Sequence, residues 1–140
     1  MFDNLLLAVD GSEHALRASR VASEMVKAMN TKTLRIVVAY EPIPLYLGEP
    51  NLQDAINARL NESEHILQKA VEAVGKTATE IHTELIEGEP AEAIIEVAKT
   101  RGSDLIVMGS RGLGRLTGLM LGSTSQKVVS HAPCPVLIVR

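Results

Sequence analysis

Residues 5–12 read Leu5-Leu6-Leu7-Ala8-Val9-Asp10-Gly11-Ser12: an unbroken apolar run, a turn, and a residue suited to capping a helix. A run with no polar residue in alternate places predicts a parallel strand buried on both faces. Beyond it Ala15, Ala18, Ala22, Val26 and Met29 recur at steps of three or four, which gives one apolar face of a helix. The same alternation continues along the chain. Leu34 to Tyr40 predicts a second strand, and Ile56, Leu60, Leu67, Val71 and Val74 mark a long helix ending near Gly75. Between them, Glu41 to Asn51 holds Pro42, Pro44, Gly48 and Pro50 and predicts no regular structure. Ile81 to Ile86 predicts a half-exposed third strand, because His82 and Glu84 alternate with apolar neighbours. Gly88-Glu89-Pro90 then opens a helix buried through Ile94, Ile95 and Ala98 and ended by Gly102. Leu105 to Met108 is a fourth strand, Gly109 to Gly122 a glycine-studded loop, Ser123 to His131 a last helix, and Val136 to Val139 a fifth strand. Strands and helices in strict alternation predict one α/β domain over residues 1–140, an open parallel sheet covered on both faces.

Composition narrows the chemistry. A net charge of −3 gives no electrostatic case for nucleic acid or an anionic membrane, and Phe2, Tyr40 and Tyr46 offer no stacking platform for single strands. No apolar run is long enough to span a bilayer, and an acid, Asp3, stands where a signal peptide carries positive charge. Cys134 is the only cysteine, so an intramolecular disulfide and a thiolate metal cluster are both impossible. These features lead to an expected cytoplasmic location. His14, His65, His82 and His131 are dispersed, with no ligand-like spacing, and read as surface or cap residues.

In sheets of this kind ligands sit beyond the carboxyl ends of the strands, where strand order reverses. Two strand ends suit a ligand. Asp10-Gly11 follows the first strand; there Asp10 could brace the turn, or meet a ribose or a ligand-bound Mg2+. The fourth strand is followed by Gly109, Gly112, Gly114, Gly118 and Gly122, and then by Ser123, Thr124 and Ser125. Glycines permit a close backbone approach, and a helix opening at Gly122 offers unpaired N–H groups to phosphate oxygens. Arg111 and Arg115 are the nearby cations. The glycines could also serve turns alone. No G-x-x-x-x-G-K-[ST] occurs, which excludes a Walker-type NTPase, and the segment from Gly109 to Gly114 reads G-x-x-G-x-G rather than the dinucleotide G-x-G-x-x-G.

The run Asp104-Leu-Ile-Val-Met-Gly-Ser-Arg-Gly112, nine residues, then Gly122-Ser123 resembles the G-2x-G-9x-G-[ST] motif of the ATP-binding branch of the universal stress protein family. Leu6 to Ser12, Gly88 to Glu92 and Ala132 to Val139 are similar to that family in the same order. The resemblance implies a Rossmann-like five-stranded sheet of order 3-2-1-4-5, a homodimer, and ATP between the first and fourth strands. Carried over by position, Ala8, Val9 and Asp10 flank the adenine and ribose, and Tyr40 lies against the base. Met108 and Gly109 line the nucleoside side, while Arg111, Gly112, Gly122, Ser123, Thr124 and Ser125 surround ribose and phosphates. The order also leaves Val136 to Val139 at a sheet edge, where pairing with a second copy would cover an aggregation-prone strand. The function so implied is a nucleotide-dependent regulator or sensor of the stress response, using ATP with Mg2+ and an unknown protein partner. The alternatives are a slow ATPase or nucleotidyl transferase in the same pocket, or a dimeric interaction protein that binds no nucleotide. No base or nucleophile beside the phosphates is evident for the enzyme readings.

Overall fold

The computed structural model describes residues 1–48, 51–111 and 120–140. Five parallel strands, β1 (Asn4–Ala8), β2 (Thr33–Tyr40), β3 (Glu80–Glu87), β4 (Leu105–Gly109) and β5 (Val136–Val139), form one sheet in the order β3-β2-β1-β4-β5. The helices are α1 (Glu13–Met29), α2 (Asn51–Val74), α3 (Pro90–Thr100) and α4 (Ser123–His131). The fold class and strand order expected above are both realised.

Strand order decides which face each helix covers. β1 pairs β2 on one side and β4 on the other, so the chain builds outward to β3 before crossing back. Right-handed crossovers taken in opposite directions place their helices on opposite faces. Accordingly Leu5, Leu7, Ile36, Val38 and Val107 pack with α1 and α2 residues such as Ala18, Ala22, Leu67 and Val74. Leu6, Ala8, Val37, Ile106 and Met108 pack with Ala91, Ile94, Ala98 and Val128 from α3 and α4. From Leu5 to Ala8 β1 is apolar at every position because alternate residues serve two different cores.

The sheet edges differ from its centre. No residue of β3 or β5 is fully buried. On β3, Glu84 pairs with Arg35 of β2 and, at 3.2 Å, with Arg101 beyond α3, which puts charge on that edge. The proline-bearing segment corrects one expectation. Leu45–Leu47 makes a single 3₁₀ turn and α2 already begins at Asn51. The turn needs only one bond, Gly48 N–H to the Leu45 carbonyl at 3.4 Å, which Pro44 ahead of it does not obstruct.

Candidate nucleotide site

The reversal between β1 and β4 opens a cleft of about 270 Å3 at their carboxyl ends. Three strands supply its floor: Ala8 and Val9 from β1 and its exit, Val37 and Ala39 from β2, and Met108 and Gly109 from β4. Pro90 and Ile94 of α3 close one wall, and Gly122 to Ser125 form the other. Asp10 and Arg111 bring opposite charges to it. Apolar floor and polar wall thus meet in one cavity, with small residues at Ala8 and Ala39 leaving the room between them.

Local chemistry fixes each wall. At the β1–α1 turn, Gly11 has φ +86, and Asp10 Oδ1 accepts a 2.9 Å bond from the Ser12 N–H, an Asx turn. Ser12 Oγ accepts from Ala15 N–H at 3.1 Å and so caps α1. Across the cleft, Glu89 caps α3 by accepting from Ala91 and Glu92 N–H, with Lys127 Nζ at 3.3 Å. The Glu92 N–H bond is the largest reason that the Glu89 carboxyl is held below its ordinary range. The N-cap of α4, by contrast, is Gly122, and no side chain caps that helix. Of α1, α3 and α4, then, only α4 directs its first turn into the cleft without a side-chain cap. Unpaired N–H groups there carry the positive end of the helix dipole.

The hydroxyls divide. Ser125 Oγ donates to the Gly109 carbonyl at 2.8 Å and is buried, so it binds α4 to β4. Ser123 is exposed and Thr124 half-buried at the cleft wall. Gly122 N–H donates to the Ser110 carbonyl at 2.8 Å, which brings α4 back to the strand it left. Gly109 lines the cleft through its backbone. A Cβ there would stand 2.7 Å from His14 Cβ and 2.9 Å from Ala15 N, so its missing side chain lets α1 approach β4.

Every residue carried over by position from the family resemblance lines this cleft except two, while Gly114, Arg115 and Gly118 lie outside the described residues. Gly112 lies outside the described residues. Tyr40 lines a separate cavity of about 470 Å3 with Pro42, Pro44, Ile56 and Leu60. Strand alternation is the cause: Val37 and Ala39 face α3, so Tyr40 faces the opposite side, toward α2. His14 also departs from its expected surface role. It is half-buried, with Nδ1 2.6 Å from Ser110 Oγ and Nε2 3.2 Å from Arg111 Nη2. Val37, Ala39, Pro90 and Ile94 escaped the sequence reading; only Pro90, at a helix start, carried a local signal. Among the described residues, no three His, Cys, Asp or Glu side chains could share a metal ion, and no helix is long and apolar enough to cross a membrane.

Comparison with known proteins agrees with this architecture. A Thermus aquaticus universal stress protein, named for the QAH/OAS sulfhydrylase 3′ region, is 49% identical over 140 residues covering all of both chains. The structure of universal stress protein UspA from Lactobacillus plantarum superposes with a TM-score of 0.87 at 28% identity, covering 99% of this chain and 98% of that one. A universal stress protein solved in complex with cAMP matches with a TM-score of 0.68 at 30% identity, over 99% of this chain and 97% of that one. The universal stress protein family itself matches residues 1–140, and the chain belongs to that family.

Proposed function

We propose that the protein binds ATP in the cleft between β1 and β4 and works as a nucleotide-dependent regulator in the stress response. The observation that carries this reading is the α4 N-terminus, uncapped by any side chain, opening beside an apolar floor. Phosphate oxygens satisfy such N–H groups, and a flat base fits among Ala8, Val37 and Ala39. Arg111 supplies a cation to the same wall, and Asp10 a carboxylate within reach of a ribose or of Mg2+ carried by the phosphates. The relative that holds cAMP supports a purine nucleotide as the class of ligand.

Regulation suits the cleft better than turnover. Among its described lining residues Asp10 is the one carboxylate, and none is His, Lys or Cys. A bound triphosphate would instead fix the wall around Arg111 and Gly122 and alter the surface a protein partner meets. The cytoplasm, which holds ATP, is where this chemistry operates. Calorimetric titration with Mg·ATP is expected to show one site per chain, with GTP much weaker and no multiple turnovers on prolonged incubation. No binding at millimolar ATP would overturn the reading.

The same reading includes a homodimer through β5. Val136–Val139 is a half-exposed apolar edge, and among the described residues no strand pairs its outer side. Residues Pro135 and Val139 turn their carbonyls to β4, so Ile138 turns its N–H to the outer side. Sedimentation at micromolar concentration is expected to show a dimer that Ile138→Pro weakens, and a stable wild-type monomer would refute it.

A further inference from the structure

His14, Ser110 and Arg111 form a chain of polar contacts beside the cleft, joining the first turn of α1 to the end of β4. Their hydrogen-bond chemistry fixes the proton. A guanidinium stays protonated and can only donate, so His14 Nε2, 3.2 Å from Arg111 Nη2, must accept. A neutral imidazole that accepts at Nε2 carries its hydrogen on Nδ1, which then donates to Ser110 Oγ at 2.6 Å. Ser110 is therefore an acceptor in this arrangement, and His14 does not activate it as a nucleophile. Adding a proton to His14 would turn Nε2 into a second donor facing the Arg111 N–H groups, with two cations in contact. Proton and guanidinium thus compete for one nitrogen.

We infer that His14 is a proton-linked latch on Arg111: neutral His14 holds the guanidinium beside the cleft, and an anionic ligand that draws Arg111 away lets His14 take up a proton. This inference rests on the nucleotide reading above and names a positioning residue and a regulator for the same site. Arg111 lines the cleft while touching His14, so one side chain adjoins both the imidazole and the space for a ligand. Among the described residues, the charged groups around the imidazole are Arg111 beyond β4, Arg17 and Glu13 on α1, and Asp10 at the β1–α1 turn. Burial lowers the His14 pKa most, the Arg111 and Arg17 charges lower it further, and Asp10 and Glu13 oppose them.

The sign follows from linkage. Free protein keeps His14 neutral below the ordinary histidine range. Once Arg111 has turned to a phosphate, its repulsion is gone and the imidazole regains affinity for the proton. Between the two pKa values the complex holds more protons than the free protein, so ATP affinity rises as pH falls. The rise reaches about tenfold for each unit by which binding lifts the His14 pKa.

The test is calorimetric titration with Mg·ATP from about pH 8 to about pH 5.5, in buffers of different ionisation enthalpy, on wild type and His14→Gln. Glutamine can accept from Arg111 and donate to Ser110 but does not titrate. Ionisation of the nucleotide phosphates is common to both proteins and cancels in the difference. Wild type is expected to take up protons and gain affinity at low pH in excess of the variant. Binding with equal proton uptake in both proteins would overturn the latch while leaving the nucleotide site intact; no binding in either would overturn the nucleotide site itself, and the latch with it. A second measurement needs no ligand: the His14 pKa read by NMR should rise in Arg111→Ala, and an unchanged value would also overturn the inference.

Discussion

Gly109→Ala is expected to remove about 3 kcal/mol of folding stability, a large loss for one added methyl group. The new Cβ would meet His14 Cβ at 2.7 Å, the His14 carbonyl carbon at 2.8 Å and Ala15 N at 2.9 Å. Two of these three atoms are main chain in the first turn of α1, so no rotamer change relieves the overlap. Neither partner can withdraw easily. β4 lies between β1 and β5, with Gly109 in register with Val139 and Ser110 N–H bound to the Val139 carbonyl at 2.8 Å. α1 is capped by Ser12 and packed on the sheet through Ala18 and Ala22, both fully buried. Close-packed interiors transmit such strain rather than absorb it. Urea denaturation should show a lower midpoint with an unchanged slope. A loss under about 0.5 kcal/mol would mean that α1 backs away freely, and the close junction would not be a structural requirement.

That junction shows how far the sequence could be read. The strands declared themselves because each apolar run is short and bounded by turn residues, as with Leu5 to Val9 before Asp10-Gly11. The cleft followed from topology: a β1–β4 reversal brings Asp10 and Gly122 to the same end of the sheet, although they lie far apart in the chain. Side-chain direction was harder to read. A strand buried on both faces has no polar alternation to fix its parity, so Val37 and Val38 look alike although they serve different cores. Tyr40, set against the base by the family resemblance, lines the cavity beside α2 instead, and no alternation in its strand signals that side. The uses of Gly109, His14 and Ser125 were hidden by distance along the chain: His14 meets Ser110 across 96 positions, and Ser125 meets the Gly109 carbonyl across 16. A glycine between a strand and a glycine-rich loop reads as ligand-facing, yet Gly109 owes its missing side chain to a helix on the other side of the sheet.

Gly122 tests another case, a glycine on the cleft wall where the proposed phosphates would lie. Its φ of −66 and ψ of 162 are open to any residue, so Gly122→Val introduces no backbone strain. The bonds from its N–H to the Ser110 carbonyl and from Gln126 N–H to its own carbonyl use main-chain atoms and can persist. Valine is a poor N-cap, but a glycine that makes no side-chain cap leaves little to lose, so the change of cap should cost less than about 1 kcal/mol. Binding should suffer far more. The β-branched side chain would crowd the point where phosphate oxygens approach the first N–H groups of α4, and ATP affinity is expected to fall by about 30-fold or more, close to 2 kcal/mol. Calorimetry measures the affinity, and a denaturation curve on the same sample shows that the protein is folded. Should Gly122→Val fail to fold, Ser123→Pro offers the same test by subtraction. Proline is well tolerated at the first helical position, as Pro90 shows in α3, and it deletes one N–H of the α4 N-terminus. Wild-type affinity in both variants would move the phosphates away from α4 and leave the cleft without the feature that marks it for a nucleotide.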